Sequence, residues 1–376
     1  MTARLADAIG ALEAAYPPAL AQSWDAVGLV CGDPVDKVSS VLVAVDPVAE
    51  IVDEALDVGA QLLVTHHPLL LRGVHGIGAD TPKGALVHRL IREGTALFTA
   101  HTNADAAEPG VSDALAAALG LAVEGPLEPM AEPPLDKIIT FVPVGPAITA
   151  VHEALLAAAG PVAERSHRSF ATAGTGQVTP AAGDAGKLER VAETRLEVVL
   201  PRERRAAVVA ALRAAHPSDE PAFDVIEFAD LPSPRGLGRI GSLPAREPLH
   251  SFTDRVAAAL PATTWGVRAA GDPDRPVRRV AVCGGAGDSA LGAATAAGVD
   301  AYVTADLRHH PASENGLAGG PALVDVAHWA SEWPWCAQAA DVLRAALGGS
   351  VEVRVSTRRT DPWTVGRVPP IERTTR

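Results

Sequence analysis

Residues 38–68 read VSSVLVAVDPVAEIVDEALDVGAQLLVTHHP. The apolar run 38–46 is typical of a buried strand, 47–58 has the spacing of an amphipathic helix, and QLLVTHHP at 61–68 returns as a second strand. A strand, a helix and a strand in this order predict a βαβ unit whose two strands run parallel. This stretch therefore indicates an α/β fold.

The same order of elements returns near the other end of the chain. RRVAVCGG at 278–285 predicts a strand, GDSALGAATAAG at 287–298 a helix, and VDAYVTAD at 299–306 a second strand. In both copies a glycine, Gly59 or Gly298, precedes the second strand, which then runs into Val-Thr. An internal repeat of this kind predicts two related α/β halves that face each other.

Two stretches rich in Pro and Gly separate the halves, GPLEPMAEPPLD at 125–136 and LPSPRGLGRIGSLP at 231–244. Between them the sequence predicts, in order, strand KIITFVPV, helix TAVHEALLAAAG, a Gly-rich hairpin region, strand TRLEVVLP, helix RERRAAVVAALRAAH and strand AFDVIEF. This βαββαβ order is the ferredoxin-like plan. We predict the following organisation: a first α/β half over 1–130, a ferredoxin-like insert over 131–232, a second α/β half over 233–366 and a loose tail over 367–376.

Composition excludes several classes of protein. No apolar run reaches the roughly 20 residues that a membrane span needs, and the N-terminal MTARLADAIGALEAAYPP lacks the basic and apolar regions of a signal peptide. We therefore expect a cytoplasmic protein without a membrane helix. A formal net charge of -13 opposes attraction to nucleic acid. The 3 cysteines, Cys31, Cys283 and Cys336, are odd in number and widely spaced, which predicts no disulfide framework and no zinc finger.

His66 and His67 are the first candidate functional residues. They directly follow the second predicted strand and precede Pro68, so they lie at the carboxyl edge of a parallel sheet, where ligand sites gather. Imidazole is the commonest metal ligand, and two neighbouring imidazoles on a turn can reach one ion or two adjacent ions. Taken alone, the pair is weak evidence for a metal site and favours two histidines that only cap a strand end.

Two further segments place a histidine four residues before a carboxylate. HTNADAA contains His101 and Asp105, and DVAHWASEW contains His328 and Glu332; on a helix each pair shares one face. The second pair is also compatible with an ordinary surface pair on an amphipathic helix. Each segment follows an apolar strand of one α/β half, and this shared position favours one common site over chance.

A helix cap is the alternative interpretation of HTNADAA. Asn103 or Asp105 would cap the helix that carries SDALAAALG, and Ser112 could serve as that cap instead.

The candidates together provide mixed nitrogen and oxygen ligands: His66, His67, Asp105, His328 and Glu332. Such a set suits two divalent ions about 3.5 to 4 Å apart, with open positions left for water or substrate. Zinc, iron, manganese or cobalt fits these ligands, and the absence of thiolates argues against a closed structural zinc site.

Seven motifs give the chain a resemblance, over nearly its whole length, to the Nif-three-like dinuclear metal-centre proteins, often labelled GTP cyclohydrolase I type 2. These motifs are SWDAVGLVCG at 23–32, VTHHPLLL at 64–71, HTNADAA at 101–107, GLGRIG at 236–241, TADLRHH at 304–310, AHWASE at 327–332 and TDPW at 360–363. The resemblance implies two metals on the five candidate ligands, with His101 beside them. It also implies a toroidal homohexamer and a PII-like insert, although HPSDEP and ERSHRSF depart from the family pattern inside that insert.

Two functions compete on this basis. In the first, the chain is a metal-dependent hydrolase, in which the metal lowers the pKa of water toward about 7 and His101 shuttles the proton as a catalytic residue. Its small-molecule substrate is unknown from the residues, since GTP comes from the resemblance alone. In the second, the chain is a non-catalytic regulatory scaffold whose insert senses a ligand or gates a cavity. A DNA-associated role is the third hypothesis, because the negative net charge of the chain disfavours it.

Four weaker features have both a structural and a functional interpretation. GGAGDS at 284–289 is a tight turn or a phosphate loop. His309 and His310 are helix-surface residues or lie near substrate. Arg354, Arg358 and Arg359 are solvated charges or face an anionic substrate. Trp24 and Asp25 are structural in preference to catalytic.

Overall fold

The computed structural model describes residues 3–161, 168–178, 189–229 and 233–367. The chain divides into two compact units, one formed by Met1–Met130 with Pro234–Arg376 and the other by Ala131–Ser233. No helix within the described ranges is long and apolar enough to cross a membrane.

The first part of the larger unit is built around three parallel strands. Its elements are β1 (Ala3–Arg4), α1 (Leu5–Ala15), β2 (Gly28–Cys31), β3 (Lys37–Val38), β4 (Ser40–Ala44), α2 (Ala49–Asp57), β5 (Leu62–Thr65), α3 (Pro82–Arg92), β6 (Ala96–Thr99), α4 (Thr102–Ala106), α5 (Val111–Ala118) and β7 (Ala122–Pro129). Strands β4, β5 and β6 are mutually parallel, which confirms the predicted βαβ unit. Every residue of these three strands is buried, as parallel strands covered on both faces require.

The smaller unit has a β-α-β-β-α-β order. Its elements are β8 (Leu135–Pro143), α6 (Ala147–Ala159), β9 (Arg168–Val178), β10 (Glu189–Pro201), α7 (Arg205–Ala215) and β11 (Phe223–Glu227). The strands form one antiparallel sheet in the order β11-β8-β10-β9. Val151 and Leu155 of α6 and Val208 and Leu212 of α7 form an apolar core with this sheet. Part of the predicted Gly-rich hairpin and the first four residues of ERSHRSF lie outside the described residues.

The rest of the larger unit repeats the parallel arrangement. Its elements are β12 (Gly236–Pro248), α8 (Leu249–Ala259), β13 (Val267–Ala270), β14 (Pro276–Ala286), α9 (Leu291–Ala296), β15 (Ala301–Ala305), α10 (His309–Leu317), β16 (Ala322–Val326), α11 (His328–Leu347) and β17 (Glu352–Val355). Strands β14, β15 and β16 are parallel, as the second βαβ prediction requires. The predicted helix 287–298 is shorter than expected, because it begins with a 3-10 turn at Asp288–Ala290.

Two sheets of the larger unit share one apolar core. Their strand orders are β17-β4-β5-β6-β2 and β13-β16-β15-β14-β12-β7, so β7 and β17 each join the sheet of the other half of the sequence. Val64 of the first sheet, Val303 of the second and Trp335 of α11 belong to the same buried cluster. Because α11 packs against β4, β14, α1 and α5, the strand ends of both halves are held in fixed positions.

Excision of the smaller unit tests whether the larger unit folds on its own. Strands β7 and β12 pair antiparallel from Pro129 and Gly236, and Met130 N donates a hydrogen bond to Arg235 O at 2.9 Å. A chain in which Asn-Gly replaces 131–234 therefore closes a two-residue hairpin of the kind these turns favour. We expect a single cooperative urea transition by circular dichroism and unchanged binding of divalent metal. A variant that is unfolded, or that has lost metal binding, would show that the smaller unit belongs to the core.

Candidate metal centre

His66 and His67 continue the chain directly from β5. Their backbone amides donate to Ala44 O at 3.3 Å and Val45 O at 2.9 Å, so the neighbouring strand fixes both residues. His66 is fully buried, and its Nδ1 lies 2.9 Å from Ala100 O. The Nδ1 of His67 lies 2.7 Å from Asp46 Oδ1, at the end of β4.

His101 lies between β6 and α4 as the residue that precedes the short helix. Its Nδ1 is 2.8 Å from Asp25 Oδ1, and the second oxygen of Asp25 accepts from Thr102 N at 2.9 Å. Asn103 Oδ1 accepts from His101 N at 2.9 Å. Asp25 therefore anchors both the ring of His101 and the start of α4.

His328 and Glu332 come from the first turns of α11. The Nδ1 of His328 lies 2.7 Å from Asp306 Oδ2, and Asp306 follows β15 with a φ of 58, a left-handed conformation that is uncommon outside glycine. One turn along the helix, Glu332 Oε1 lies 3.0 Å from His328 Nε2. The Glu332 side chain is only 4% exposed and that of His328 is 35% exposed, so the predicted i, i+4 pair is not the surface pair of the alternative interpretation.

One pattern is common to His66, His67, His101 and His328. In each ring Nδ1 faces an oxygen acceptor, a carboxylate in three cases and the Ala100 carbonyl in the fourth. A ring that donates from Nδ1 presents Nε2 on its other side, and this is how proteins orient histidines that bind metals. We infer this tautomer from the hydrogen bonds.

The Nε2 atoms meet the carboxylates at distances that suit ligands of a shared ion. His66 Nε2 lies 3.5 Å from Glu332 Oε1 and 3.7 Å from Asp105 Oδ1, and His67 Nε2 lies 3.1 Å from Glu332 Oε2. Two ligand atoms that bind the same ion, each at about 2.1 Å from it, are separated from one another by roughly 3.0 to 3.4 Å. His66 Nε2 and Glu332 Oε2 are buried, and neither has a hydrogen-bond partner among the described residues.

Potential ligand atoms gather in two overlapping groups. Among the described residues, the ligand atoms of His66, His67 and His101 lie within 4.8 Å of one another, and the ligand atoms of His67, His328 and Glu332 do so as well. Asp105 approaches the first group through His66. The structure thus brings all five predicted ligands and His101 into one site, at the carboxyl ends of strands from both halves.

Gly285 at the end of β14 lets the backbone approach this site closely. It has a φ of +69, and a Cβ there would lie 2.5 Å from Glu332 Oε1 and 3.3 Å from His328 Nε2. The amides of Gly284 and Gly285 donate to Ser112 Oγ and Ser331 Oγ. Because these two amides are engaged, the GGAGDS segment fits the tight-turn interpretation and not a phosphate loop.

Burial and charge shift the pKa values of the site in opposite directions. Burial alone would lower the pKa of His67, but the carboxylates of Glu332 and Asp46 raise it to about 10. Burial would likewise lower the pKa of His328, and Glu332 with Asp306 raises it to about 11. Burial would raise the pKa of Glu332, but the surrounding histidines, His67 first, hold it well below its usual range. Protons and metal ions therefore compete for the same Nε2 positions.

Burial is the first cause of the pKa shift in three further groups near the site. Burial raises the pKa of Asp105 to about 6. Burial and then the neighbouring His66 lower the pKa of His101. Burial raises the pKa of the Cys283 thiol to about 12, so it offers no thiolate to a metal.

The capping interpretation of HTNADAA is wrong. Helix α5 begins after Gly110, and Asp113 Oδ2 accepts from Gly110 N at 2.7 Å. Asn103 instead donates from Nδ2 to Tyr16 O. Ser112 Oγ accepts from Gly284 N, so neither residue caps the helix.

Other weaker features lie outside the cluster. His309 and His310 are exposed at the start of α10. Arg354 pairs with Glu352 and Arg358 with Glu54, so these two arginines are engaged in ion pairs.

Sequence reasoning did not identify the residues that orient the histidines. Asp46 and Asp306 had no predicted role, and Asp25 was expected to be structural. The only available signal was their position: Asp46 and Asp306 each end a predicted strand, and Asp25 lies in the SWDAVGLVCG motif.

The comparisons with known proteins agree with this fold. Residues 3–362 match the family described as Duf34/NIF3 (NGG1p interacting factor 3). The chain belongs to this family. It is 58% identical to a GTP cyclohydrolase 1 type 2 homolog of Mycobacterium tuberculosis, over 96% of this chain and 97% of that protein. It is 40% identical to the protein of the same name from Streptomyces coelicolor, over 96% and 94%.

Solved structures show the same fold. A Bacillus cereus protein related to NIF3 is 34% identical, with a TM-score of 0.71 and coverage of 97% of this chain and 100% of that chain. A Staphylococcus aureus protein is 26% identical, with a TM-score of 0.78 and coverage of 97% of this chain and 99% of that chain.

The raised pKa values predict how stability depends on pH when metal is removed. In the folded chain His67 and His328 keep a proton that an ordinary histidine, with a pKa near about 6.5, has lost on unfolding. Their contribution is fully present below about pH 6.5 and is lost as pH rises through about 10. For EDTA-treated protein, we expect the urea-derived free energy of unfolding to fall between pH 7 and pH 10.

In Glu332→Gln, the free energy of unfolding should fall much less between pH 7 and pH 10, because the carboxylate that raises the pKa values of His67 and His328 is then absent. Glu314→Gln, the same change at an exposed site on α10, should behave like the wild type. Parallel pH profiles for wild type and Glu332→Gln would contradict this electrostatic coupling.

Proposed function

We propose that this chain is a metal-dependent hydrolase that binds two divalent metal ions. The proposed ligands are His66, His67, Asp105, His328 and Glu332. The observation that carries the proposal is the common orientation of the imidazoles: each is held through Nδ1 and presents Nε2 to the buried carboxylate of Glu332 or to its neighbours. Separations of 3.0 to 3.7 Å between these atoms support shared ligation.

Glu332 is the residue best suited to be shared by both ions. Its Oε1 faces His66 and His328, and its Oε2 faces His67. Asp105 adds a second carboxylate on the His66 side. Mixed imidazole and carboxylate ligands favour zinc, iron, manganese or cobalt.

The chemistry proposed is hydrolysis of a small molecule. Bound dications would supply Lewis acidity and lower the pKa of water. Asp25 holds the Nδ1 of His101, so the Nε2 of His101 is directed away from Asp25. Because the pKa of His101 is lowered, this Nε2 can accept a proton at pH 7. A cavity of about 380 Å³ opens beside His67 and His328, which gives a small substrate access. The names of the relatives suggest GTP as one candidate substrate.

We also propose that the smaller unit is a ferredoxin-like, PII-like insert and that the chain assembles as a toroidal homohexamer. Its sheet order β11-β8-β10-β9 with two helices supports the ferredoxin-like assignment. The hexamer rests on the family resemblance.

Glu332→Gln tests the proposed ligands directly. The amide keeps the size but removes the charge that two dications require, so at least one metal per chain should be lost on dialysis, as measured by elemental analysis. Hydrolytic activity on a panel of nucleotides, cyclic amides and phosphoesters should fall by orders of magnitude, while the melting temperature changes modestly. Glu314→Gln should keep both metals. Full retention of metal by Glu332→Gln would remove Glu332 from the proposed ligands.

His101→Ala separates a catalytic role from a ligand role. If His101 accepts a proton, the variant keeps its metals and loses turnover, by about 100-fold or more for a general base. Asp25→Asn should reproduce part of the loss, because it weakens the group that orients the ring. We expect metal content to stay at the wild-type level in both variants. Metal loss in His101→Ala would instead make His101 a ligand, which its place within 4.8 Å of His66 and His67 also permits.

A further inference from the structure

A cavity of about 650 Å³ lies within the smaller unit, and every residue that lines it belongs to that unit. The lining comes from strands β8, β9 and β10 and from the loop 216–222 that follows α7. Its volume is in the range of sites that bind small molecules. The proposed hydrolysis makes no use of this cavity, because none of the proposed metal ligands lines it.

The strand register places two opposite charges on the floor of the cavity. Glu193 and Arg195 are two positions apart on β10, so their side chains leave the same face of the sheet, roughly 7 Å apart. Residues directly opposite each other on paired strands share a face. The opposite residues on β8 and β9 line the same cavity: Pro143, Gly174, Phe141 and Thr172. The charged pair is therefore framed by apolar and small side chains.

The Glu193 carboxylate has no cation to balance it. Glu193 is half-buried, and no described residue forms an ion pair or a hydrogen bond with its carboxylate. Its Oε2 lies over Gly176, where an added Cβ would collide with it, so the glycine leaves the space that the carboxylate occupies. A partly desolvated carboxylate without a partner is unfavourable, and a cationic group in the cavity would relieve that cost.

Arg195 supplies a positive charge that is only partly neutralised. Its Nη2 lies 3.0 Å from Glu197 Oε1, and 42% of the Arg195 side chain remains exposed. Glu197 also accepts from Lys137 Nζ at 2.8 Å, so one carboxylate serves two cations. A guanidinium has five N–H donors, and Arg195 therefore keeps donors for a second carboxylate.

The loop 216–222 forms a fixed wall of the cavity. His216 Nε2 donates to Phe141 O at 3.0 Å, and its Nδ1 accepts from Ser218 N at 3.0 Å. Because both ring nitrogens are engaged, His216 fastens the loop to β8 and offers neither nitrogen to a ligand. Glu220 carries a further charge on the lining, and it is exposed to solvent.

We propose that this cavity binds a zwitterionic α-amino acid with a large apolar side chain. Arg195 would hold the α-carboxylate and Glu193 the α-ammonium, because a simple anion or a simple cation leaves one of the two charges unmatched. Apolar surface for the ligand side chain comes from Phe141, Pro143, Val191, Pro221 and Ala222. The inference goes beyond the proposed hydrolase, since it assigns a separate binding site to the smaller unit.

Three related ligands test the proposal by isothermal titration calorimetry of the full chain. L-phenylalanine carries both charges, phenethylamine lacks the carboxylate, and hydrocinnamate lacks the ammonium. We expect each analogue to bind at least about tenfold more weakly than L-phenylalanine, as the loss of hydrogen bonds between charged groups implies. The absence of L-phenylalanine binding, or equal affinities for the three ligands, would overturn the proposal.

Exchange of each charged residue should change a different pair of affinities. Glu193→Gln should weaken L-phenylalanine and phenethylamine and leave hydrocinnamate unchanged, whereas Arg195→Gln should weaken L-phenylalanine and hydrocinnamate. Glu153→Gln, the same change at an exposed residue of α6, should keep all three affinities. An unchanged affinity of Glu193→Gln for L-phenylalanine would refute the assignment.

A pair of glycine variants tests the position of the Glu193 carboxylate without removing any charge. Gly176→Ala adds a methyl group that displaces this carboxylate, so L-phenylalanine should bind about as weakly as to Glu193→Gln. Gly174→Ala is the matched control, because its Cβ meets nothing within 4 Å. Equal affinities of the two glycine variants would contradict the role of Glu193.

EDTA treatment separates this site from the metal centre. We expect L-phenylalanine to bind the EDTA-treated chain with the same affinity, because no proposed metal ligand lines the cavity. Binding that disappears with EDTA would place the ligand at the metal centre and overturn the assignment.

Discussion

Burial of the Glu332 carboxylate is the constraint around which the larger unit is arranged. An isolated charge in a protein interior is strongly unfavourable unless cations or hydrogen bonds compensate it. The chain surrounds Glu332 with the rings of His66, His67 and His328, which come from both halves of the sequence. The two halves must therefore pack together for this charge to be accommodated, and the shared apolar core with α11 supplies the packing.

Three further acids fix the orientation of the histidine rings. Asp25, Asp46 and Asp306 each take the Nδ1 of one histidine, which leaves Nε2 toward the centre. An imidazole without such a partner would be free to rotate or to exchange its tautomer. The left-handed backbone at Asp306 and the close approach at Gly285 are local costs that the packing of β14, β15 and α11 sustains.

The elements and the positions of the candidate ligands were predictable from the sequence because they follow from local periodicity. Buried parallel strands produce continuous apolar runs, and the residues after them lie at the carboxyl edge, which is how His66 and His67 were identified. The roles of Asp25, Asp46 and Asp306 depend on which strands pair and where α11 begins, and no local pattern encodes that. Asn103 and Ser112 illustrate the limit: both have good capping chemistry, but tertiary partners, Tyr16 O and Gly284 N, use their side chains.

X-ray absorption spectroscopy of the zinc-loaded chain tests the central claim that these histidines and carboxylates are metal ligands. The account predicts a first shell of nitrogen and oxygen at about 2.0 to 2.2 Å, with the outer-shell scattering that imidazole rings produce. A sulfur shell near about 2.3 Å would place the metal on a cysteine such as Cys283, and an oxygen-only shell would place it on surface carboxylates. Either result would contradict the account.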